Sequence, residues 1–284
     1  MGPDIQQRVD AIPRQRIEAG PRVFTYRECG QGPALVLLHG IGANAGSWVY
    51  QLESLSARFR VIAWDAPGYG GSTPLVPSAP SAADYAQALE HFVDALGLTR
   101  FLLVGHSLGA LMAGAFAARC APRLQGLALI SPAGGYGSAH PVLRLERLNT
   151  RLNMMETLGP AGLADKRSRN LLTKKASPEA LELVALSMRQ LDPRGHEQAA
   201  RMLANGKLVE DLAKYAGPAI VACGGEDSVT LPDDCRRIAA STSSRTFREL
   251  AGLGHACYAE SPGAVDEVIL ALAKEVGAID ASVG

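Results

Sequence analysis

Ser107 lies in Gly105-His106-Ser107-Leu108-Gly109, between the apolar run Phe101-Leu102-Leu103-Val104 and the helix-forming stretch Ala110 to Ala118. Strand, tight turn and helix form the setting in which a G-x-S-x-G pentapeptide presents its serine as a nucleophile. The turn must be sharp enough to lift the hydroxyl above the strand ends, and flanking glycines remove the Cβ atoms that would block it. Outside that setting the same serine would only cap a helix.

A hydroxyl attacks poorly until a base takes its proton, and the base needs an acid to fix its tautomer. Six histidines compete for the base. His39 and His106 fall inside turn motifs, where they brace backbone; His91 sits in a helical pattern, and His140 and His196 in a later helical interval. His255 stands in Gly252-Leu253-Gly254-His255-Ala256, a glycine-rich loop after the last strand, from which it can reach back over the strand ends. The acid belongs on a post-strand loop between these two. Asp227 directly follows the run Ala219 to Cys223 and is preferred over Glu226, Asp233 and Asp234. Ser107, Asp227 and His255 are therefore the expected catalytic set. The amides of Ile41 and Leu108 are the expected oxyanion donors. Leu108 opens a helix, where free N–H groups and the dipole favour negative charge, and Ile41 follows the strand-ending His39-Gly40.

The frame that must position these residues follows from composition and pattern. At 284 residues, 47% hydrophobic and 20% charged, the chain is long enough for one large α/β domain or for a domain carrying an insertion. Its formal net charge is zero, which removes any global pull toward nucleic acid or membrane. No run approaches the roughly 18 apolar residues of a membrane span. The polar, mixed-charge stretch Met1 to Gly20 reads as no secretory leader, and Gln6 stands where a myristoylation signal after Gly2 needs Ser or Thr. The 5 cysteines lack Cys-x-x-Cys spacing, so free thiols in a reducing cytoplasm are expected rather than disulfides or a zinc site. Cys257, close to His255, is expected to pack as a small hydrophobe. Nothing calls for a metal or an organic cofactor.

Polar–apolar alternation predicts a hairpin over 14–28, turning at Gly20-Pro21. Apolar runs predict strands at 34–38, 60–64, 101–104, 127–130 and 219–223, and a last strand is expected at 245–250. Helical patterns fall at about 47–57, 81–96, 110–118, 232–240 and 262–276. Strands alternating with helices make a mostly parallel sheet with helices on both faces and chemistry at the strands' C-terminal ends. The rhythm stops from Tyr136 to Leu208, where only helical patterns occur. The expected organisation is a core of 1–135 and 209–284 with 136–208 inserted as a helical cap, and a frayed tail after Val276.

In that interval 12 basic residues face 7 acidic ones. Charges on helices usually face water. The sharper expectation puts an arginine in the cleft to hold a substrate carboxylate, with Arg189 as the candidate. Trp48, downstream of the first post-strand loop, is the other candidate for substrate contact. Met154, Met155, Met188 and Met202 fit core packing or an apolar pocket wall.

Taken together, the chain resembles the α/β-hydrolase superfamily from about Arg14 to Val276. The resemblance is carried by His39-Gly40-Ile41-Gly42 with Trp48, Asp65-Ala66-Pro67-Gly68-Tyr69-Gly70-Gly71-Ser72, the pentapeptide around Ser107, Gly224-Gly225-Glu226-Asp227 and Gly254-His255. It implies the α/β-hydrolase fold and the triad in the order serine, aspartate, histidine. Within the superfamily the chain is similar to small capped bacterial serine hydrolases: carboxylesterases, enol-lactonases and carbon–carbon hydrolases of aromatic ring-cleavage products. Ser107 separates it from dehalogenases and epoxide hydrolases, which carry Asp there. The carbon–carbon hydrolases often have Asn before the serine and Trp after the histidine, where this chain has His106 and Ala256. Ser131-Pro132-Ala133-Gly134-Gly135 is nonetheless similar to their post-strand segment. The expected function is hydrolysis of a small carboxylic ester or lactone through an acyl-enzyme. The competing readings are carbon–carbon hydrolysis of a dienoate and a small-ligand receptor on the same fold. The expected partner is a small molecule, anionic if an arginine meets it; oligomeric state is not set by the sequence.

Overall fold

The computed structural model describes residues 4–280 with the exception of 245. The reading at Gly2, the first residue of the last expected strand (Arg245) and the end of the tail lie outside the described residues. The chain begins with α1 (Ile5–Ala11), β1 (Gln15–Ala19) and β2 (Arg22–Cys29). It continues through β3 (Ala34–Leu38), α2 (Val49–Ser54), β4 (Arg60–Trp64), α3 (Ala82–Ala95), β5 (Phe101–His106), α4 (Leu108–Cys120) and β6 (Leu124–Ile130). Helices α5 (Pro141–Arg167), α6 (Pro178–Arg189), α7 (Pro193–Asn205) and α8 (Leu208–Leu212) come before β7 (Ala219–Gly224). The last elements are α9 (Pro232–Ala240), β8 (Thr246–Leu250), α10 (Cys257–Glu260) and α11 (Pro262–Glu275).

The described strands form one 8-stranded sheet in the order β1-β2-β4-β3-β5-β6-β7-β8. The β1–β2 hairpin joins β4 antiparallel and every other pair is parallel. β3, β5 and β7 are buried along their whole length, which is why they read as unbroken apolar runs: helices cover both faces. The edge strands β1 and β8 expose alternate or consecutive polar residues instead. α4 is buried on nearly every side from Leu108 to Ala117, so its composition is apolar all round rather than striped. Leu111 and Phe116 are fully buried there, and truncating either to Ala would cost about 2–5 kcal/mol.

Three local details depart from expectation. α1 was not anticipated in the polar N-terminal stretch. Asp4 and Gln7 form a reciprocal capping box, Ile5 and Val9 are buried, and Arg27 donates to the carbonyls of Val9 and Ile12 at the helix end. The helix expected over 47–57 is a 3₁₀ turn, Ala45–Trp48, running into the short α2. β6 starts at Leu124, earlier than expected, beside a register shift against β5.

No strand occurs in the described stretch between β6 and β7. α5 is broken at Gly159, whose φ of 60° and ψ of −179° interrupt the helix just before Pro160. Two of the contacts that tie these helices to the sheet body are made by α7. Gln198 on α7 donates to the carbonyls of Leu75 and Pro77 at 2.7 and 2.8 Å and accepts from the Leu75 amide at 3.2 Å. Gly68, at φ +84°, meets Gly195 backbone to backbone, so that a Cβ on Gly68 would lie 2.6 Å from the Gly195 Cα. Only glycine on both sides allows that approach. α8, which begins at Leu208, packs on α4.

Candidate active site

Ser107 sits between β5 and α4 at φ 52° and ψ −114°, a left-handed conformation that a residue with a side chain adopts only under constraint. The constraint is visible in its backbone bonds. Its amide donates to Ile130 O at 3.0 Å, and its carbonyl accepts from Ala110 at 3.0 Å and Ala133 at 3.1 Å. Gly109 lets the start of α4 press against the carbonyl of Leu38; any Cβ there would collide with it. The hydroxyl is consequently free of helix-capping duty: Ser107 makes no side-chain cap bond.

His255 comes from the loop between β8 and α10, and Asp227 from the loop after β7. His255 Nε2 lies 3.0 Å from Ser107 Oγ, and its Nδ1 lies 2.8 Å from Asp227 Oδ2. A carboxylate only accepts, so Nδ1 carries the proton and Nε2 is left as the acceptor for the serine hydroxyl. All three residues are buried. Burial alone would raise the Asp227 carboxyl; hydrogen bonds from His255 and Thr230 outweigh it and hold Asp227 well below the ordinary carboxylate range. Its other oxygen accepts the amides of Val229 at 2.8 Å and Thr230 at 2.9 Å.

Thr230 was not singled out in the sequence. Its hydroxyl donates to Asp227 Oδ2 at 2.7 Å, lies 3.2 Å from His255 Nδ1, and is 3.1 Å from Ser131 O. A threonine three residues after an acid that caps its own loop is the available signal, a local side-chain-to-backbone turn. His39 and His106 brace backbone: His39 Nε2 accepts the Ala66 amide at 3.0 Å, and His106 Nε2 donates to His255 O at 3.0 Å. Burial, then the neighbouring His255, pushes the His106 imidazole down to about 3, so it is neutral near pH 7.

The turn bearing Ile41 passes beside the serine: a Cβ on Gly40 would lie 3.2 Å from Ser107 Cβ. Tyr69 Oη donates to Ile41 O at 3.0 Å and fixes that peptide. Neither the Ile41 nor the Leu108 amide donates to a loop, turn or cap acceptor among the described residues. Such amides suit a developing oxyanion.

A cavity of about 890 Å³ opens onto this group. Ser107, His255, Gly40, Ile41 and Thr230 line it on the sheet side; Arg147, Thr150, Arg151, Met154, Leu163, Arg167, Met188 and His196 line it from α5, α6 and α7. Met154 and Met188 thus form apolar wall, while Met155 and Met202 are buried.

Two expected substrate contacts are corrected. Arg189 does not line the cavity. It pairs with Glu182 at 2.7 Å with 42% of its side chain exposed, because α6 turns Ala180, Leu183, Val184 and Met188 inward and leaves Arg189 outside. Trp48 is 1% exposed and packs behind the site against the rings of His106 and Tyr258, so it supports the histidines and does not reach the cavity. Cys257 is buried and off the cavity wall, with burial pushing its thiol up to about 12. Among the described residues no group of His, Cys, Asp and Glu is placed to hold a metal ion. Nor is any described helix long and apolar enough to cross a membrane.

Comparison with known proteins agrees with this architecture. Residues 35–268 match the Alpha/beta hydrolase family. The chain is 29% identical over 243 residues to 2-hydroxy-6-oxononadienedioate/2-hydroxy-6-oxononatrienedioate hydrolase 2 of Pseudomonas putida, spanning 81% of this chain and 84% of that one. It is 37% identical over 119 residues to 2-hydroxy-6-oxo-6-phenylhexa-2,4-dienoate hydrolase of Comamonas testosteroni, spanning 40% of this chain and 41% of that one. The chain spans less than half the length of several of the curated relatives that it matches. Among solved structures, a thermophilic esterase from Thermogutta terrifontis, malate bound, superposes with a TM-score of 0.83 at 25% identity, covering 93% of this chain and 98% of that one.

Proposed function

The chain belongs to the Alpha/beta hydrolase family, and on that premise we propose that it cleaves a small carboxylic ester or lactone through an acyl-enzyme. Ser107 attacks the carbonyl carbon while His255 Nε2 takes its proton. Asp227 holds the imidazole in the tautomer that leaves Nε2 free and stabilises the imidazolium that forms. The amides of Ile41 and Leu108 receive the oxyanion. His255 then hands the proton to the leaving oxygen, the acyl group stays on Ser107, and a water deprotonated by His255 releases the acid. The step needs no cofactor. In this reading 136–208 is a cap that closes the cavity over a core of 1–135 and 209–284, and the five free thiols suit a reducing, cytoplasmic setting.

The observation that carries the reading is the unbroken hydrogen-bond path from Ser107 Oγ through His255 to Asp227. A receptor has no use for a hydroxyl aligned on a base. The test is turnover of para-nitrophenyl butyrate by wild type and Ser107→Ala of equal thermal stability. Loss of at least about 10⁴-fold in Ser107→Ala supports the proposal. Equal rates in the two proteins refute it.

Carbon–carbon hydrolysis of a dienoate is the second reading, favoured by the printed activities of the Pseudomonas and Comamonas relatives. Against it, His106 is neutral and spends its Nε2 on the His255 carbonyl, so the place before the serine offers substrate no free amide-type donor. Ring-cleavage dienoates and simple esters assayed side by side separate the two.

A further inference from the structure

The cavity holds a second polar group away from Ser107. α5 presents Arg147, Thr150, Arg151 and Met154 to it, the spacing of one helical face. The Arg151 guanidinium lies over the Tyr136 ring, 5.4 Å from its centroid, and donates to the Tyr136 hydroxyl at 3.5 Å and to Arg147 O at 2.9 Å. Arg151 is half-buried, yet among the described residues no carboxylate pairs with it. The acids on the cavity wall, Glu210 and Asp234, are each taken by a cation of their own, Lys207 and Arg237. A half-buried guanidinium without an anion is an unmet charge in a space partly walled by Met154 and Leu163.

His196, on the neighbouring α7, supplies the independent observation. It lines the same cavity, is 5% exposed, and its Nδ1 has no hydrogen-bond partner among the described residues. Burial, then the positive charge of Arg151, pushes this imidazole down to about 4. It is therefore neutral near pH 7 and keeps one N–H to donate.

We propose that Arg151, His196 and Tyr136 form a carboxylate-binding subsite, so that the substrate is an ester or lactone carrying a free carboxylate remote from the scissile bond. The proposal rests on the hydrolase reading above. A planar guanidinium offers paired N–H groups that match the two oxygens of a carboxylate, and an imidazole N–H adds a third donor. Arg147 and Arg167, on the same wall and with no carboxylate partner among the described residues, strengthen the field without being required as donors.

The test compares methyl half-esters of C4 to C8 diacids with methyl alkanoates of equal length, acid release being followed by pH-stat. Wild type should favour the half-ester at one chain length by about tenfold or more in kcat/KM. Arg151→Met should collapse that ratio, and Arg151→Lys should restore part of it. No preference at any length, or both substrates falling by one factor in Arg151→Met, overturns the subsite. A second readout does not depend on turnover: calorimetric binding of glutarate and adipate to Ser107→Ala, with and without Arg151→Met. Weakening by about tenfold or more in the double variant supports the subsite even if wild type hydrolyses nothing, an outcome that would sink the hydrolase reading alone. Equal binding in the two overturns the subsite whatever the hydrolase does.

Discussion

The sheet edge around Ser107 and the helices between β6 and β7 that line its cavity treat polar groups in opposite ways. At the edge, the serine hydroxyl, the imidazole and the carboxylate are buried and each holds a partner within 3.0 Å. On α5, Arg147 and Arg151 face the cavity from an exposed or half-buried surface with no carboxylate to pair with among the described residues. A paired, buried constellation is organised before substrate arrives and serves one chemistry. An unpaired cation on a wall is completed by the ligand, so it selects among substrates and leaves the chemistry alone. Substitutions should therefore move kcat at the edge and substrate preference in the helices.

The largest effect belongs to Asp227→Asn. It keeps the shape of the side chain but lets the imidazole adopt the wrong tautomer, and kcat should fall by about 10⁴-fold with the melting temperature little changed. A loss under tenfold would break the contrast at its firmest point. Thr230→Val removes one hydrogen bond to Asp227 and should lower kcat about tenfold with KM unchanged. A change in KM alone would reassign Thr230, which also lines the cavity, to substrate contact.

Between these regions lies the seam at Gly195 and Gly68. Gly195→Ala drives a methyl onto the Gly68 carbonyl, and the overpacking should cost about 1–3 kcal/mol in thermal unfolding while raising KM severalfold. An unchanged KM would mean that the seam does not set the helices' position over the cavity.

The pH dependence sharpens the comparison on the stability side. His106 titrates near 3 when folded against 6.5 when unfolded, so the unfolded chain binds more protons throughout that interval. Stability is fully present above pH 6.5 and is lost as pH falls through the interval; His39 and His196, also lowered by burial, act in the same direction. Asp227 adds its share only below its ordinary value of 3.8. His106→Asn should flatten the fall of melting temperature from pH 6.5 to 4, and an unaltered slope would contradict the assignment. The smallest effect is at Arg189: its exposed pair with Glu182 is worth about 0–1 kcal/mol, and Arg189→Met should leave preference between half-esters and neutral esters unmoved.

The two regions also differ in how far the sequence exposes them. Ser107 and Asp227 each follow an apolar run, His255 follows the last strand of the pattern through a glycine-rich loop, and a parallel sheet delivers the ends of its strands to one edge whatever lies between them. That rule needs no side-chain packing, so the residues that meet in space could be named from spacing. The helical interval has no such rule. Arg189 and Arg151 are equally basic and equally helical in pattern, and only packing of α6 through Leu183 and Met188 turns the first outward. Arg147, Thr150, Arg151 and Met154 do share a helical face, but a face says nothing about what it looks at. Trp48 misled for the same reason: a large aromatic near a post-strand loop serves packing as readily as substrate. α1 stayed hidden because a helix of 7 residues with two of them buried is too short for its periodicity to register.

The most direct test of a nucleophilic Ser107 is mass spectrometry of the intact protein quenched during the first turnovers of para-nitrophenyl acetate, followed by peptide mapping. A catalytic Ser107 gives one acetyl group per chain, on the peptide that contains it, matched by a stoichiometric burst of para-nitrophenol and absent in Ser107→Ala. Steady turnover with no adduct on that peptide, or the same adduct in Ser107→Ala, would contradict the acyl-enzyme.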